Sequence, residues 1–134
     1  MIVDTSALIA VLEEGPEAGE LRRALAVRGA RISASTLLEA LIVARGKAGS
    51  SGTRRLAALM REAQLEVVPF DEEQARAAAD AHAVYGRGSG HPARLNLGDC
   101  FAYSLAYLTG EPLLYVGDDF ARTDIRSALE EDGE

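Results

Sequence analysis

The chain has one cysteine and one lysine, Cys100 and Lys47, among its 134 residues. A lone cysteine has no intrachain disulfide partner, and Cys100 lies on an apolar stretch, so it reads as a small buried hydrophobe in a reducing, cytoplasmic compartment. The start, MIVDTSALIAVL, lacks a basic leader, and Asp4, Thr5 and Ser6 interrupt its apolar residues. It is therefore expected to be neither a signal peptide nor a membrane span. Repeats, linkers and low-complexity tracts are missing as well, which predicts one domain over residues 1–134. With 48% hydrophobic and 26% charged residues, the composition excludes disordered and collagen-like classes.

Acid is unevenly spread along the chain. Between Glu39 and Glu62 there is no aspartate or glutamate, while Arg45, Lys47, Arg54, Arg55 and Arg61 are present. A second cationic segment, Tyr85 to Gly98, carries Arg87, His91 and Arg94. The net charge of −7, from 14 basic and 21 acidic residues, weakens any long-range pull on a polyanion. Most individual charges are expected to be solvated helix faces. The segregation by segment is what carries information.

Apolar patterning predicts a short strand over Ile2 to Asp4, then a helix capped by Thr5 or Ser6 and a second helix from Glu17 to Val27. A strand over Arg31 to Ala34 leads into a helix capped by Ser35 or Thr36 and ending near Gly46. Gly49-Ser50-Ser51-Gly52 separates it from a helix over Thr53 to Ala63. Leu65 to Phe70 reads as the third strand, and Asp71 caps a helix from Glu72 to about Val84. Three glycines and a proline make Gly86 to Pro92 a flexible loop. Asn96 caps a helix over Leu97 to Leu108, Leu113 to Val116 is the fourth strand, and Asp124 begins a last helical stretch. Strands alternating with amphipathic helices predict an α/β three-layer sandwich around a mostly parallel sheet of four or five strands. In such sheets, ligands bind beyond the carboxyl ends of the strands.

Asp4 ends the first strand, Glu39 follows the second, Asp99 opens a helix, and Asp118 and Asp119 close the fourth strand. Apolar residues flank them, as in Ile2-Val3-Asp4, Leu37-Leu38-Glu39-Ala40-Leu41 and Tyr115-Val116-Gly117-Asp118. Burying an unpaired carboxylate costs on the order of several kcal/mol. Helix capping accounts for Asp4 or Asp99 singly. It does not cover Glu39, which lies inside its helix, nor the convergence of four acids. A hard divalent cation does, because an oxygen-only donor set suits Mg²⁺, which keeps water and substrate phosphate among its ligands. Such a constellation fits metal-assisted phosphodiester cleavage, with one ion activating water and a second stabilising the leaving oxygen.

The segments MIVDTSALIAVL, STLLEA around Glu39, NLGDCFAYSLA around Asp99 and LLYVGDDFARTDI resemble, in order and over nearly the whole chain, the four motifs of PIN-domain proteins. More narrowly, the chain resembles VapC-type ribonuclease toxins of bacterial toxin–antitoxin pairs. The resemblance implies a Rossmann-like sandwich and a Mg²⁺- or Mn²⁺-dependent endoribonuclease acting on structured RNA such as tRNA or rRNA. It also implies a homodimer and inhibition by a VapB-type antitoxin. Carried over, Asp4 and Asp99 are the principal metal ligands, Glu39 completes the set directly or through water, and Asp119 is the fourth acid. Ser6, Asp118 and Thr123 support the cluster.

Read from below, the Ser6 hydroxyl either caps its helix or orients a carboxylate. Arg87 and Arg94 suit phosphate contacts, His91 between them suits solvent or substrate contact, and Tyr103 with Tyr107 suits core packing or a dimer face. The helix from Ser35 to Arg45 has more apolar residues than one buried face uses, which also points to a second copy. Weak non-specific RNA binding is expected, resting on metal and the two basic segments.

Three other functions are compatible with a small acidic α/β domain. A phospho-accepting receiver needs an acidic pair after the first strand and a late lysine, and the only lysine here is Lys47. A haloacid-dehalogenase-like phosphatase needs D-x-D where this chain has Asp4-Thr5-Ser6. A non-catalytic RNA- or protein-binding PIN-like module is the remaining alternative.

Overall fold

Alternation along the strands decides the layering, because successive strand residues point to opposite sides of a sheet. Ile2 and Leu113 are register partners, as are Val3 and Leu114, and all four are fully buried. Val3 and Leu114 join one apolar cluster and Ile2 and Leu113 the other, so both faces of the sheet are covered. The computed structural model describes residues 1–27 and 29–132.

Four parallel strands, β1 (Ile2–Val3), β2 (Arg31–Ser33), β3 (Glu66–Val68) and β4 (Leu113–Leu114), lie in the order β3-β2-β1-β4. The helices are α1 (Thr5–Leu12), α2 (Ala18–Leu25), α3 (Ala34–Glu62), α4 (Glu72–Tyr85), α5 (Leu97–Thr109) and α6 (Ala128–Asp132). Residues of α1, α2, α3 and α6 cover one face through Leu8, Val11, Leu21, Leu56 and Ala128, and residues of α4 and α5 cover the other through Ala78, Ala81, Ala102 and Leu105. Each buried leucine or valine contributes roughly 1.5–3 kcal/mol by leaving water. The expected three-layer sandwich with a parallel sheet is thus present, with four strands. Among the described residues no helix is long and apolar enough to cross a membrane.

Several local expectations change. The caps sit earlier than read: Asp4, not Thr5 or Ser6, caps α1 by accepting from Ser6 N, and Ser33, not Ser35 or Thr36, caps α3. The strand therefore runs straight into the helix, with its last polar side chain as the cap. Residues 34–62 comprise two helical stretches that meet at a kink, as the sequence led one to expect, but the non-helical backbone is confined to Ala48 and Gly49 and the second stretch begins directly after it, before Thr53. Gly49 has φ 59° and ψ −142°, a conformation open to glycine and strained for other residues. The C-terminal stretch opens with a 3₁₀ turn at Phe120–Arg122, and its α-helix starts at Ala128, not Asp124.

The segment after Gly86, read as a flexible loop, is tied at both ends. Arg87 N donates to the Leu95 carbonyl (3.0 Å), Leu95 N donates to that of Tyr85 (2.9 Å), and Ala93 and Leu95 are fully buried.

Candidate active site

β1 and β4 are adjacent, and their carboxyl ends deliver Asp4 and the turn containing Asp118 and Asp119 to one edge of the sheet. Helix α3 packs against both α1 and α5, which brings Glu39 to the same edge.

Asp4 is 3% exposed. Its Oδ2 accepts from Ser6 N (3.0 Å) and from the Ser6 hydroxyl (2.6 Å), and that hydroxyl in turn accepts from Val116 N (3.0 Å). Ser6 therefore links the acid after β1 to the backbone beyond β4, and its hydroxyl orients a carboxylate while Asp4 does the capping. The other oxygen, Oδ1, is buried and has no hydrogen-bond partner. Burial lifts the Asp4 carboxyl to about 7; the Ser6 hydrogen bonds oppose that rise, and the negative charges of Asp99 and Glu39 add to it.

Asp99 sits in the first turn of α5 in a reciprocal cap: its backbone N–H donates to Asn96 Oδ1 (2.8 Å), and its Oδ2 accepts from Asn96 N (2.9 Å). Burial again is the main force lifting it, to about 6. The Asn96 hydrogen bond pulls the other way, Asp119 and Glu39 push it up, and Arg87 draws it down. Asp119 and its neighbour Asp118 are both exposed, and the charge of Asp119 reaches Asp99.

Glu39 is held by two residues whose part the sequence did not reveal. The Thr5 hydroxyl, read only as a possible cap, donates to Glu39 Oε1 at 2.6 Å. Gly98 lies against the same carboxylate: a Cβ at this position would stand 1.8 Å from Glu39 Oε2. A sequence signal for Gly98 did exist, since glycine is a poorer helix former than alanine and its presence in a helix implies a reason.

The remaining expected residues make contacts of their own. Thr123 donates to the Phe120 carbonyl (2.7 Å) and accepts from Ile125 N (3.2 Å), so its hydroxyl shapes its own turn. His91 Nδ1 accepts from Ala93 N (3.0 Å), and the ring packs edge-on against Tyr85 at 4.8 Å, so this side chain folds its own loop. Arg87 is brought into the field of the acids, whereas Arg94 is exposed and adopts a positive φ of 52°. Tyr103 donates to Asp124 Oδ1 (2.6 Å) and stacks on Tyr107 at 6.0 Å.

Among the described residues no group of three or more acid, histidine or cysteine side chains is arranged to hold a metal ion by itself. The donor set nevertheless fits a hard divalent cation: all donors are oxygen, the central one has an unpartnered buried oxygen, and burial, with a smaller part from mutual repulsion, raises two of the acids.

Residues 1–126 match the PIN domain family. The chain is 47% identical over 131 residues to ribonuclease VapC28 of Mycobacterium tuberculosis, an alignment that covers 97% of this chain and 98% of the relative. The chain belongs to the VapC ribonucleases of the PIN-domain family. The fold of this VapC matches that of Mycobacterium tuberculosis VapC20, a sarcin-ricin loop cleaving toxin, with a TM-score of 0.73 at 16% identity over 92% of this chain and 95% of that one. It also matches a chain of a toxin–antitoxin complex from Klebsiella pneumoniae, with a TM-score of 0.65 at 21% identity over 90% and 89%.

Proposed function

We propose that this VapC is a metal-dependent endoribonuclease cleaving phosphodiester bonds of structured RNA, tRNA or rRNA, in the cytoplasm. The observation that carries the metal requirement is Asp4: a buried carboxylate with one oxygen unpartnered, facing the charges of Asp99 and Glu39. Asp4, Glu39, Asp99 and Asp119 would hold Mg²⁺ or Mn²⁺, with Asp118 beside them. When bound, the cation neutralises the phosphate and makes water a better nucleophile near neutral pH.

The chain's own residues supply the rest. Ser6 fixes one Asp4 oxygen and leaves the other available. Asn96 fixes Asp99 through the reciprocal cap. Arg87, placed by the tied loop, offers a guanidinium to a phosphate, and Arg94 extends that contact surface. Both position RNA without reading its sequence, and His91 contributes by holding the loop that carries them.

The toxin–antitoxin complex among the structural matches supports a VapB-type antitoxin as partner. Exposed Leu38 and Ile42 on α3, and Tyr107 and Leu108 at the end of α5, support a homodimer.

Cleavage of total cellular RNA by antitoxin-free protein tests the reading. Discrete fragments are expected with Mg²⁺ or Mn²⁺, and none with EDTA or with Asp4→Asn or Asp99→Asn. Folded protein that cuts equally well in EDTA would refute it, and folded protein that binds RNA without cutting under either metal would favour the binding module.

A further inference from the structure

We propose that Thr5 and Gly98 are positioning residues that set the Glu39 carboxylate for cation binding, an inference resting on the metal reading above. Glu39 alone among the central acids comes from the interior of a helix, where no backbone cap fixes its side chain. A free glutamate has three side-chain torsions, so something else must hold it. Thr5 holds one oxygen. Its hydroxyl donates to Glu39 Oε1 at 2.6 Å and lies 3.3 Å from the Thr36 carbonyl oxygen, one turn earlier on α3. Thr5 is 8% exposed, so this hydrogen bond is shielded from competing water.

Gly98 sets the other side. A Cβ there would lie 1.8 Å from Glu39 Oε2, 2.5 Å from Cδ and 2.8 Å from Oε1. The whole carboxylate thus rests across a bare Cα at the start of α5, directly before Asp99. The obstructing atoms are the end of a flexible side chain. An added methyl group would therefore swing Glu39 away and leave the backbone where it is. Alanine is also the better helix former by about 1 kcal/mol. Gly98 accordingly has the signature of a residue retained for the site at some expense of the helix. Thr5 opens α1, Glu39 lies on α3 and Gly98 opens α5, so the three helices that carry the acids meet at this one carboxylate.

The test is Mn²⁺ binding by titration calorimetry, with melting temperature measured in EDTA on the same samples. Thr5→Val and Gly98→Ala are each expected to weaken Mn²⁺ binding about ten-fold, as loss of an orienting partner does, while Thr5→Ser binds as the unmodified chain does. Gly98→Ala should melt no lower than the unmodified chain. On a Glu39→Gln background, Thr5→Val should cause no further loss. Unchanged affinity in Thr5→Val and Gly98→Ala, or an undiminished Thr5→Val effect without the Glu39 charge, would overturn the positioning role while leaving the metal reading standing. If Gly98→Ala fails to fold, the Gly98 half falls and Thr5→Val decides the other half. An unmodified chain that takes up no Mn²⁺ would overturn the metal reading itself, and this inference with it.

Discussion

The Ser6 hydroxyl donates to Asp4 Oδ2 at 2.6 Å while accepting from Val116 N at 3.0 Å, so one small side chain fastens the central acid to the neighbouring strand's continuation. Val116 lies two residues before Asp118, so this contact, together with the Asp4 N–H donated to the Leu114 carbonyl (3.0 Å), ties the first acidic segment to the last.

Ser6→Ala removes a donor from Asp4 and an acceptor from Val116 N. Unfolding stability should fall by about 1–2 kcal/mol, as expected when buried groups lose partners. The Asp4 carboxyl should titrate higher still, because the Ser6 hydrogen bond is one of the two interactions that lower it. RNA cleavage should fall about 10–100-fold, the usual effect of losing an orienting contact at a metal site. Urea titration and initial rates on a single RNA substrate check all three.

In EDTA, stability should decline as pH rises. Asp4 titrates at about 7 and Asp99 at about 6 in the folded chain, against an ordinary value of 3.8 for each. The folded chain therefore holds more protons than the unfolded one across this window, so their contribution is full below about pH 4 and lost as pH climbs through 6 and 7. The Asp4 displacement corresponds to about 4 kcal/mol at most. Asp4→Asn should flatten the slope and melt higher than the unmodified chain at pH 8. Divalent cation should raise the melting temperature of the unmodified chain more at pH 8 than at pH 5. A melting profile identical in the two proteins from pH 4 to 8 would contradict this.

Arg87→Ala should lift the Asp99 carboxyl further, since Arg87 is the cation that draws it down. With RNA, KM should rise more than kcat falls, and the slope of log affinity against log salt should shrink by about 1. Arg87→Lys should restore the salt slope but not the full affinity, because lysine lacks the two-pronged geometry for phosphate. Filter binding across a salt series, followed by steady-state kinetics, separates these outcomes.

Gly49→Ala forces a side chain into φ 59°, ψ −142°. The expected loss is about 1–3 kcal/mol in urea unfolding. Cleavage at a temperature where the variant is folded should be little changed, since Glu39 lies ten residues away on the straight first part of α3.

The sequence made the layering legible because buried parallel strands leave short apolar runs such as Ile2-Val3 and Leu113-Leu114, and because Asp71, Asn96 and Gly110 mark the ends of α4 and α5. It was less informative where polar residues compete for one task. Asp4, Thr5 and Ser6 are all competent caps, and only the tertiary setting shows that Asp4 caps, Ser6 binds Asp4 and Thr5 binds Glu39. The glycine-serine stretch at residues 49–52 reads as a break because propensity counts against helix there, and the helical backbone does break, at Ala48 and Gly49, but Ser50 to Gly52 already belong to the second stretch. His91 looked available because its partner Tyr85 is six residues away across a loop whose closure no periodicity announces. The approach of Glu39 to Gly98 spans 59 positions in sequence and depends on how α3 packs on α5.

The junction between β1 and α1 consists of Asp4 alone, with Val3 in the strand and Thr5 already helical. There is no slack on either side of it. An inserted residue on the strand side turns Val3 and its neighbours to the wrong face, and one on the helix side rotates Ser6 and Thr5 by about 100° away from their acids. Length variation is therefore shut out of this corner of the molecule, and whatever diversity of target the architecture supports must be introduced elsewhere, in segments such as residues 86–95 that are anchored at their ends and free to differ between them.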